Sequence, residues 1–529
     1  MLLPSHRTLA VLVSFAFVTG SLHAEPLHSA IDRHILANAK TSPPAALADD
    51  AEFLRRVYLD LTGTIPSVAT VRAFIADKAT DKRAKLVDQL LSAPTYAPRM
   101  SEVFHLMFME RLGDHAEWTK YLRTSFESNK PWNVMSSEIL RGAAPDESTR
   151  GAVFFYAKRL ENYGQQTVDY SALTRDVGRL FLGMDLRCAE CHDHLFVNDY
   201  KQDYFKGLYA FFQNTALQDA KLPSIVEKPT TQKVAFSSVF KKVPKEIGPR
   251  VPGLEEVSIP SFPKGEEFSV KPDRAKNLPG VPKFSPLTVL AEKLPTPENP
   301  AFAKNAVNRL WFILMGRGIV HPLDLHHSAN PPSHPELLDL LAKEFVEHQF
   351  DIKYILREIA LSQAYQRSSM LPDGTDKLPP ERFLVAIEKR VIAEQFLRSM
   401  LLATGEPTPP EALLTPLQTK FAKAYANPAR EPEEEFTPSL RAALFVLNDP
   451  TVLTWLQPKS GNLIDRVSKL ADANAMAEEL YLAVLSRLPN DDEKKAFGAF
   501  MTKHADKKSQ AITQFAWALL ASTEFSVNH

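Results

Sequence analysis

The sequence predicts a mainly α-helical protein with a small insertion of β or extended structure. Glycine is scarce, with 19 residues, whereas proline is abundant, with 40. This balance suits helices separated by proline breaks better than a large, turn-rich β-sheet. Apolar side chains recur at helical spacing through most of the chain, but residues near 221–286 are rich in Pro, Lys, Val and Glu and lack that period. We therefore expect helical segments on both sides of this insertion.

The 529-residue chain is too long for one ordinary hydrophobic core, so we expect it to divide. The segments predicted are a signal peptide at 1–24, a helical domain at 25–220, the Pro/Lys-rich insertion at 221–286 and a second helical domain at 287–529. His6 and Arg7 form the basic end of the predicted signal peptide, an apolar run follows, and small residues before Glu25 form the cleavage site. That run is shorter than the roughly 20 residues that span a bilayer. We therefore expect a periplasmic or otherwise exported protein, without a stable membrane span in the mature chain.

Helical spacing is clear from Asp49 to Thr95, where Thr62-Gly63 is expected to end one helix and Ile65-Pro66-Ser67 to open the next. The C-terminal region repeats this plan with the same eight-residue spacing. The matching positions are Tyr58, Pro66 and Phe74 in the first unit and Tyr481, Pro489 and Phe497 in the second. These patterns predict two related three-helix units that pack close together.

Other local signals predict the boundaries of later elements. An apolar stripe from Leu173 to Met184 indicates a helix, and Asp199 is expected to cap the following one. A capping box is expected at residues 333–336, and Asp351 is expected to cap the next helix. The Pro-rich, acidic stretch at 406–438 is predicted to be a linker.

Both cysteines of the chain lie in one short motif, Cys188-Ala189-Glu190-Cys191-His192. C-x-x-C-H is the pattern for covalent attachment of a c-type haem. Two thiols three residues apart can bond the two vinyl groups of a porphyrin, and the following imidazole can ligate its iron. The motif therefore predicts one haem c, held covalently by Cys188 and Cys191 and axially by His192. His105 and Met109 share a helical face and are candidates for the opposite axial position.

Other interpretations of the motif remain open. Cys188 and Cys191 could form a disulfide, could have no function, or could bind zinc or another divalent metal together with His192 and His194. The run His192-Asp193-His194 could also serve a metal-dependent enzyme. Solvated or capping roles are expected for the remaining clustered histidines, which are His321, His326, His327 and His334. Signatures of a Ser/His/Asp site, a phosphate loop or paired carboxylates do not stand out, so whether the protein is an enzyme stays open.

The charge balance argues against some partners. A formal net charge of −1 provides no field for nucleic acid or anionic lipid. If the haem is present, the expected function is electron transfer or redox coupling with a periplasmic redox or envelope protein. The alternative is an exported binding or scaffold protein of the cell envelope or of polysaccharide use, with no haem.

Several longer motifs resemble two known domains. Residues 53–63 (FLRRVYLDLTG) and 188–194 (CAECHDH) resemble the domain of unknown function 1549. Four further stretches resemble its usual companion, the domain of unknown function 1553; they are residues 305–311, 316–320, 333–338 and 364–366. This pair often occurs with planctomycete-type cytochrome c modules, and no activity is established for it. Unlike the common form, this chain lacks a separate N-terminal cytochrome module, so the resemblance leaves Cys188 to His192 as its candidate haem site.

Overall fold

The computed structural model describes residues 25–529 except 40–41, 144–145, 162–166, 274, 277 and 432–439. The predicted signal peptide lies outside the described residues. Within these ranges the chain forms 24 α-helices, and its strands form four two-stranded antiparallel sheets. The prediction of a mainly α-helical protein is confirmed. No helix of the described ranges is long and apolar enough to cross a membrane.

The first ten helices precede the insertion. They are α1 (Leu27–Ala37), α2 (Asp50–Thr62), α3 (Val68–Ala76), α4 (Lys82–Ser92), α5 (Tyr96–Met109), α6 (Ala116–Glu127), α7 (Trp132–Arg141), α8 (Phe154–Arg159), α9 (Tyr170–Leu182) and α10 (Gln202–Tyr209). The other fourteen follow it. They are α11 (Pro286–Lys293), α12 (Pro300–Met315), α13 (Pro335–Glu347), α14 (Ile352–Leu361), α15 (Gln363–Gln366), α16 (Ala393–Thr404), α17 (Glu411–Tyr425), α18 (Leu440–Asn448), α19 (Pro450–Trp455), α20 (Leu463–Ser468), α21 (Ala473–Val484), α22 (Asp491–Lys503), α23 (Lys508–Leu520) and α24 (Thr523–Ser526).

The insertion contains short β-strands, in agreement with the prediction of β or extended structure. The first strand, β1 (Thr215–Asp219), lies just before residue 221, and the others are β2 (Ser224–Glu227), β3 (Val234–Ser237), β4 (Pro244–Ile247), β5 (Phe268–Val270) and β6 (Val281–Pro282). They pair in sequence order as β1 with β2, β3 with β4 and β5 with β6. The remaining sheet joins β7 (Lys389–Arg390) to β8 (Val527–Asn528), which brings the end of the chain back against its middle.

The helices pack around two hydrophobic cores that do not follow chain order. The larger core runs from Leu27 to Leu384 and also takes in Leu482. The smaller core is built mainly from Val391 to Phe525, but it also includes Leu59 of α2. Helix α2 therefore buries side chains in both cores. The domain boundaries drawn at 220 and 287 stay predictions about the sequence.

The two terminal three-helix units, α2–α4 and α21–α23, contact one another. Nη1 of Arg55 on α2 donates to the carbonyl of Val484 at 3.3 Å. Asp49 caps α2 and Asp472 caps α21, each by accepting the backbone N–H three residues ahead. The prediction that the units pack close together is confirmed.

Two sequence predictions about later elements are wrong. The expected linker at 406–438 contains the helix α17, which tolerates Pro416 because Phe421 and Tyr425 pack against Phe396 of α16. The capping box at residues 333–336 does not form, because the N-cap residue of α13 is His334, which makes no side-chain capping hydrogen bond. The hydroxyl of Ser333 donates to the carbonyl of Ile319. The Asp351 cap does form, and its side chain accepts from the N–H of Tyr354.

Candidate functional site

The C-x-x-C-H motif follows directly from α9. This helix buries its apolar stripe in the larger core and ends at Gly183, which has a φ of 68°. A left-handed residue at this position turns the chain out of the helix. A short 3-10 turn at Cys188–Glu190 then carries the motif. Both cysteines are exposed, and both thiols are free.

His192 is held in one tautomer by its backbone neighbour. Its Nδ1 lies 2.7 Å from the carbonyl oxygen of Asp193. A carbonyl can only accept a hydrogen bond, so Nδ1 carries the hydrogen. This leaves the lone pair of Nε2 for a ligand, which is the arrangement that metal-bound imidazoles show in proteins.

His194 has the opposite arrangement. Its Nδ1 accepts hydrogen bonds from the backbone N–H groups of Phe196 and Val197, at 3.2 and 3.0 Å. In the neutral imidazole the hydrogen is then on Nε2, so neither nitrogen offers a free lone pair. The structure therefore gives His194 a structural role in the turn that follows the motif.

The motif is tied to three neighbouring elements. Glu190 accepts from Arg175 of α9 at 2.6 Å. The carboxylate of Asp193 accepts from the N–H of Gln202 at 2.8 Å and so caps α10. Gln202 is only 3% exposed, and its side chain donates to Ser237 at the end of β3. The cap assigned to Asp199 was therefore wrong, because Asp193 supplies it.

Large apolar side chains surround the motif without being covered. Leu195 and Phe196 follow it directly, with 64% and 86% of their surfaces exposed. Val239 and Phe240 come from the connection between β3 and β4 and are also exposed. The ring of Phe240 lies 4.8 Å from that of His192, and the N–H of Val239 donates to the carbonyl of Cys191 at 3.2 Å. We call these four residues the apolar flank.

A loop from the second half of the chain braces this site. The N–H of His326 donates to the carbonyl of Gly183 at 2.9 Å, and the N–H of Asp185 donates to the carbonyl of Asp324 at 2.8 Å. Asp199 accepts from the N–H of Ser328 at 2.5 Å, which explains why it does not cap α10. Burial lowers the pKa of His326 to about 4. We call residues 321–330 the bracing loop, because backbone groups of this loop form hydrogen bonds with Gly183, Asp185 and Asp199 on both sides of the motif.

Both candidates for the second axial position make other contacts in the structure. Met109 has no exposed surface, and its sulfur lies 3.7 Å from Nη1 of Arg159. A group outside the packed chain cannot touch it. Nδ1 of His105 accepts from the indole N–H of Trp118 at 3.1 Å. Across the part of the chain that the structure describes, no three or more His, Cys, Asp and Glu side chains form a group that could hold a metal ion.

One polar cluster escaped the sequence analysis. Asp60, which is 3% exposed, accepts from Lys389 at 2.6 and 2.7 Å, from the hydroxyl of Tyr365 at 2.8 Å and from the side-chain amide of Asn528 at 2.8 Å. We call this group the Asp60 cluster. The available signal was a carboxylate between Leu59 and Leu61, on the face of α2 that buries its apolar side chains, because such a buried charge requires partners.

Comparison with protein families agrees with the motifs found in the sequence. Residues 30–217 match PSCyt2, a protein of unknown function (DUF1549), and residues 288–423 match PSD1, a protein of unknown function (DUF1553). The chain therefore carries the DUF1549 and DUF1553 domains, in that order. No curated protein and no solved structure was found to match it. The DUF1549 domain contains the C-x-x-C-H motif, and the DUF1553 domain contains the bracing loop.

Proposed function

We propose that this DUF1549–DUF1553 protein is exported and acts in electron transfer or redox coupling through one haem c. Cys188 and Cys191 would hold the haem covalently, and His192 would ligate its iron. The observation that carries this proposal is the surface around the motif. Two free, exposed thiols and an imidazole with a free Nε2 lie beside the uncovered apolar flank. A porphyrin, with apolar faces and two reactive vinyl groups, fits this donor set.

The attachment chemistry balances without an oxidant. Each thiol adds across one vinyl group, so that the sulfur bonds to one carbon and the thiol hydrogen goes to the other. The free state of both cysteines is the state that this addition needs. Once bound, a haem supplies an iron centre that exchanges single electrons. The protein would supply Nε2 of His192 as a ligand of the iron, together with an apolar wall that includes Phe240.

The surface position of the motif supports a protein partner in electron exchange. Exposed apolar patches on soluble proteins commonly mark binding surfaces. Phe196 and Phe240 are exposed, and the ring of Phe240 lies beside that of His192. The partner class that we propose is a periplasmic redox or envelope protein. The family name PSCyt2 points to the same cytochrome association.

The test is to produce the full chain in a host that matures c-type cytochromes and to stain a denaturing gel for haem. We expect the stain to follow the polypeptide, and we expect the double variant Cys188→Ala/Cys191→Ala to lack it. Both cysteines are exposed, so this variant is expected to keep the fold. Wild-type protein without stained haem would contradict the proposal and would favour an exported binding or scaffold protein. Metal bound in place of haem, and lost on His192→Ala, would favour a metal-dependent enzyme.

A further inference from the structure

A second site lies in a cavity of about 210 Å³ to which the C-x-x-C-H motif contributes no residue. Two helices form opposite sides of it. Helix α5 contributes Arg99, Val103, Leu106 and Met107, which share one face because of their spacing, and its C-cap residue Glu110 also lines the cavity. Helix α12 contributes Arg309, Phe312 and Ile313, and its C-cap residue Gly316 also lines the cavity.

The two helices place their charged residues at opposite ends of the cavity. Arg309 donates to the carbonyl of Arg179, which is paired with Glu110 at the C-terminal end of α5. Arg99 lies at the other end of α5, where its Nε donates to the carbonyl of Asp60. Lys389 joins Asp60 to the last turn of α12. Along α5, the eleven-residue step from Arg99 to Glu110 corresponds to about 16 Å at a rise of about 1.5 Å per residue.

The middle of the cavity is apolar. Val103, Leu106 and Met107 on α5 lie between the two ends, together with Phe312 and Ile313 on α12. Leu323 from the bracing loop also lines it. A ligand that fills the cavity would therefore have an apolar middle section.

Each end presents a guanidinium group with an unused donor. Arg99 is 7% exposed and uses Nε and Nη1 for Asp60 and Glu102, but among the described residues Nη2 has no hydrogen-bond partner. Arg309 is 6% exposed and uses Nε and Nη2, and within the same described ranges its Nη1 has none. Each of these nitrogens can therefore donate to an acceptor in the cavity, and a carboxylate at that place would gain a charge-assisted hydrogen bond.

The charges around Arg99 favour an anion. Glu102 is the carboxylate shared by Arg99 and Arg398, with nitrogen–oxygen distances of 2.8 Å to both. Five of the charged side chains that line the cavity are cationic and three are acidic, so the lining has an excess of positive charge. Burial lowers the pKa of Arg99 and also that of Lys389, which has Asp60 as its counter-charge.

We propose that this cavity binds a small linear dicarboxylate. One carboxylate accepts from Arg99, the other accepts from Arg309, and the methylene groups between them pack against Met107 and Ile313. The proposal does not depend on the haem, because it uses none of the motif residues.

The test measures binding to the full chain by calorimetry, with dicarboxylates of four, six and eight carbons. Each is compared with the monocarboxylate and the diol of the same carbon number. We expect one dicarboxylate to bind about tenfold or more tightly than its monocarboxylate, because a second charge-assisted contact is formed. Equal binding of the dicarboxylate and its matched monocarboxylate at every length, or no saturable binding of any dicarboxylate, would overturn the proposal.

Two variants locate the binding. Arg99→Gln should reduce the dicarboxylate to the affinity of the monocarboxylate, while Glu102 keeps Arg398 as its partner. Met107→Trp should fill the middle of the cavity and abolish binding without breaking an ion pair. The matched control is Leu488→Trp, at an exposed leucine that does not line the cavity. Unchanged dicarboxylate binding in folded Met107→Trp protein would place the ligand elsewhere and refute the site.

Discussion

Two histidines of the same short stretch differ in whether they keep a nitrogen lone pair free for a ligand. His192 donates through Nδ1 and keeps Nε2 as an acceptor, whereas His194 accepts two backbone N–H groups through Nδ1. The spacing of the motif predicted the ligand role of His192. It could not distinguish the role of His194, because that depends on how residues 194–197 turn.

The two histidines should therefore respond differently to substitution. His194→Ala removes the acceptor of two backbone N–H groups, so we expect the free energy of unfolding to fall by about 1–2 kcal/mol. The haem spectrum should change little. His192→Ala should leave stability nearly unchanged but should shift the haem absorbance, because the axial ligand is lost. Urea unfolding and absorbance spectra measure both effects, and a shifted spectrum in the His194 variant alone would reverse the assignment.

At the scale of elements, the bracing loop fits closely against the turn that ends α9. A Cβ atom added to Gly183 would lie 2.5 Å from Cδ2 of His326, and the residue has a φ of +68°. Gly461 has a φ of +83° but has nothing within 4 Å of such an atom. Substitutions at these two glycines therefore separate the cost of backbone strain from the cost of contact with the bracing loop.

We expect Gly461→Ala to lower the free energy of unfolding by about 1 kcal/mol, the cost of the left-handed conformation for alanine. Gly183→Ala should lower the free energy of unfolding by about 1–3 kcal/mol more than Gly461→Ala does, because His326 must move. Urea unfolding of the two variants measures this difference. Equal losses would show that the loop does not pack against Gly183.

The same loop should make stability depend on pH. Burial lowers the pKa of His326 to about 4, against about 6.5 for an unfolded chain. Between these values the unfolded state binds a proton that the folded state does not, so stability should fall as pH drops from about 6.5 to about 4. For His326 we expect a loss of about 3 kcal/mol. Urea unfolding midpoints across this pH range should depend less on pH in His326→Gln than in the wild type. The control is His348→Gln, at an exposed residue, which should keep the pH dependence of the wild type. A wild-type pH dependence in His326→Gln would contradict a stabilising role for the neutral form of His326.

Sequence reasoning predicted elements whose signals are local. The apolar period and the caps identified α2, α3, α4 and α9 because those helices bury one regular face. It failed for α17, where the aromatic contacts of Phe421 and Tyr425 outweigh Pro416. It also failed for Asp199, because the partner of that carboxylate is Ser328, from a distant part of the chain.

At the scale of the whole molecule, the Asp60 cluster joins segments that are far apart in sequence. Asp60 comes from the DUF1549 domain and Tyr365 from the DUF1553 domain, while Lys389 and Asn528 form part of the sheet between β7 and β8. The chain order of these four residues carries no sign of their contact. This is why the sequence motifs identified both domains but did not predict how they are joined.

Removing the charge of Asp60 should therefore weaken the whole fold. Asp60→Asn leaves the buried Lys389 without its counter-charge, and we expect the free energy of unfolding to fall by about 3–5 kcal/mol. Tyr365→Phe removes one hydrogen bond and keeps the ion pair, so we expect the free energy of unfolding to fall by only about 1 kcal/mol. Denaturant unfolding compares the two. Similar losses in both variants would mean that the ion pair is not what holds the segments together.

Intact-protein mass under denaturing conditions shows whether Cys188 and Cys191 carry a covalently bound haem. The full chain, made with active cytochrome maturation machinery, should have the mass of the processed polypeptide plus one haem. The Cys188→Ala/Cys191→Ala variant, made in parallel, should have the mass of its polypeptide alone. A wild-type mass without haem, under conditions in which a known c-type cytochrome is matured in the same host, would contradict the account.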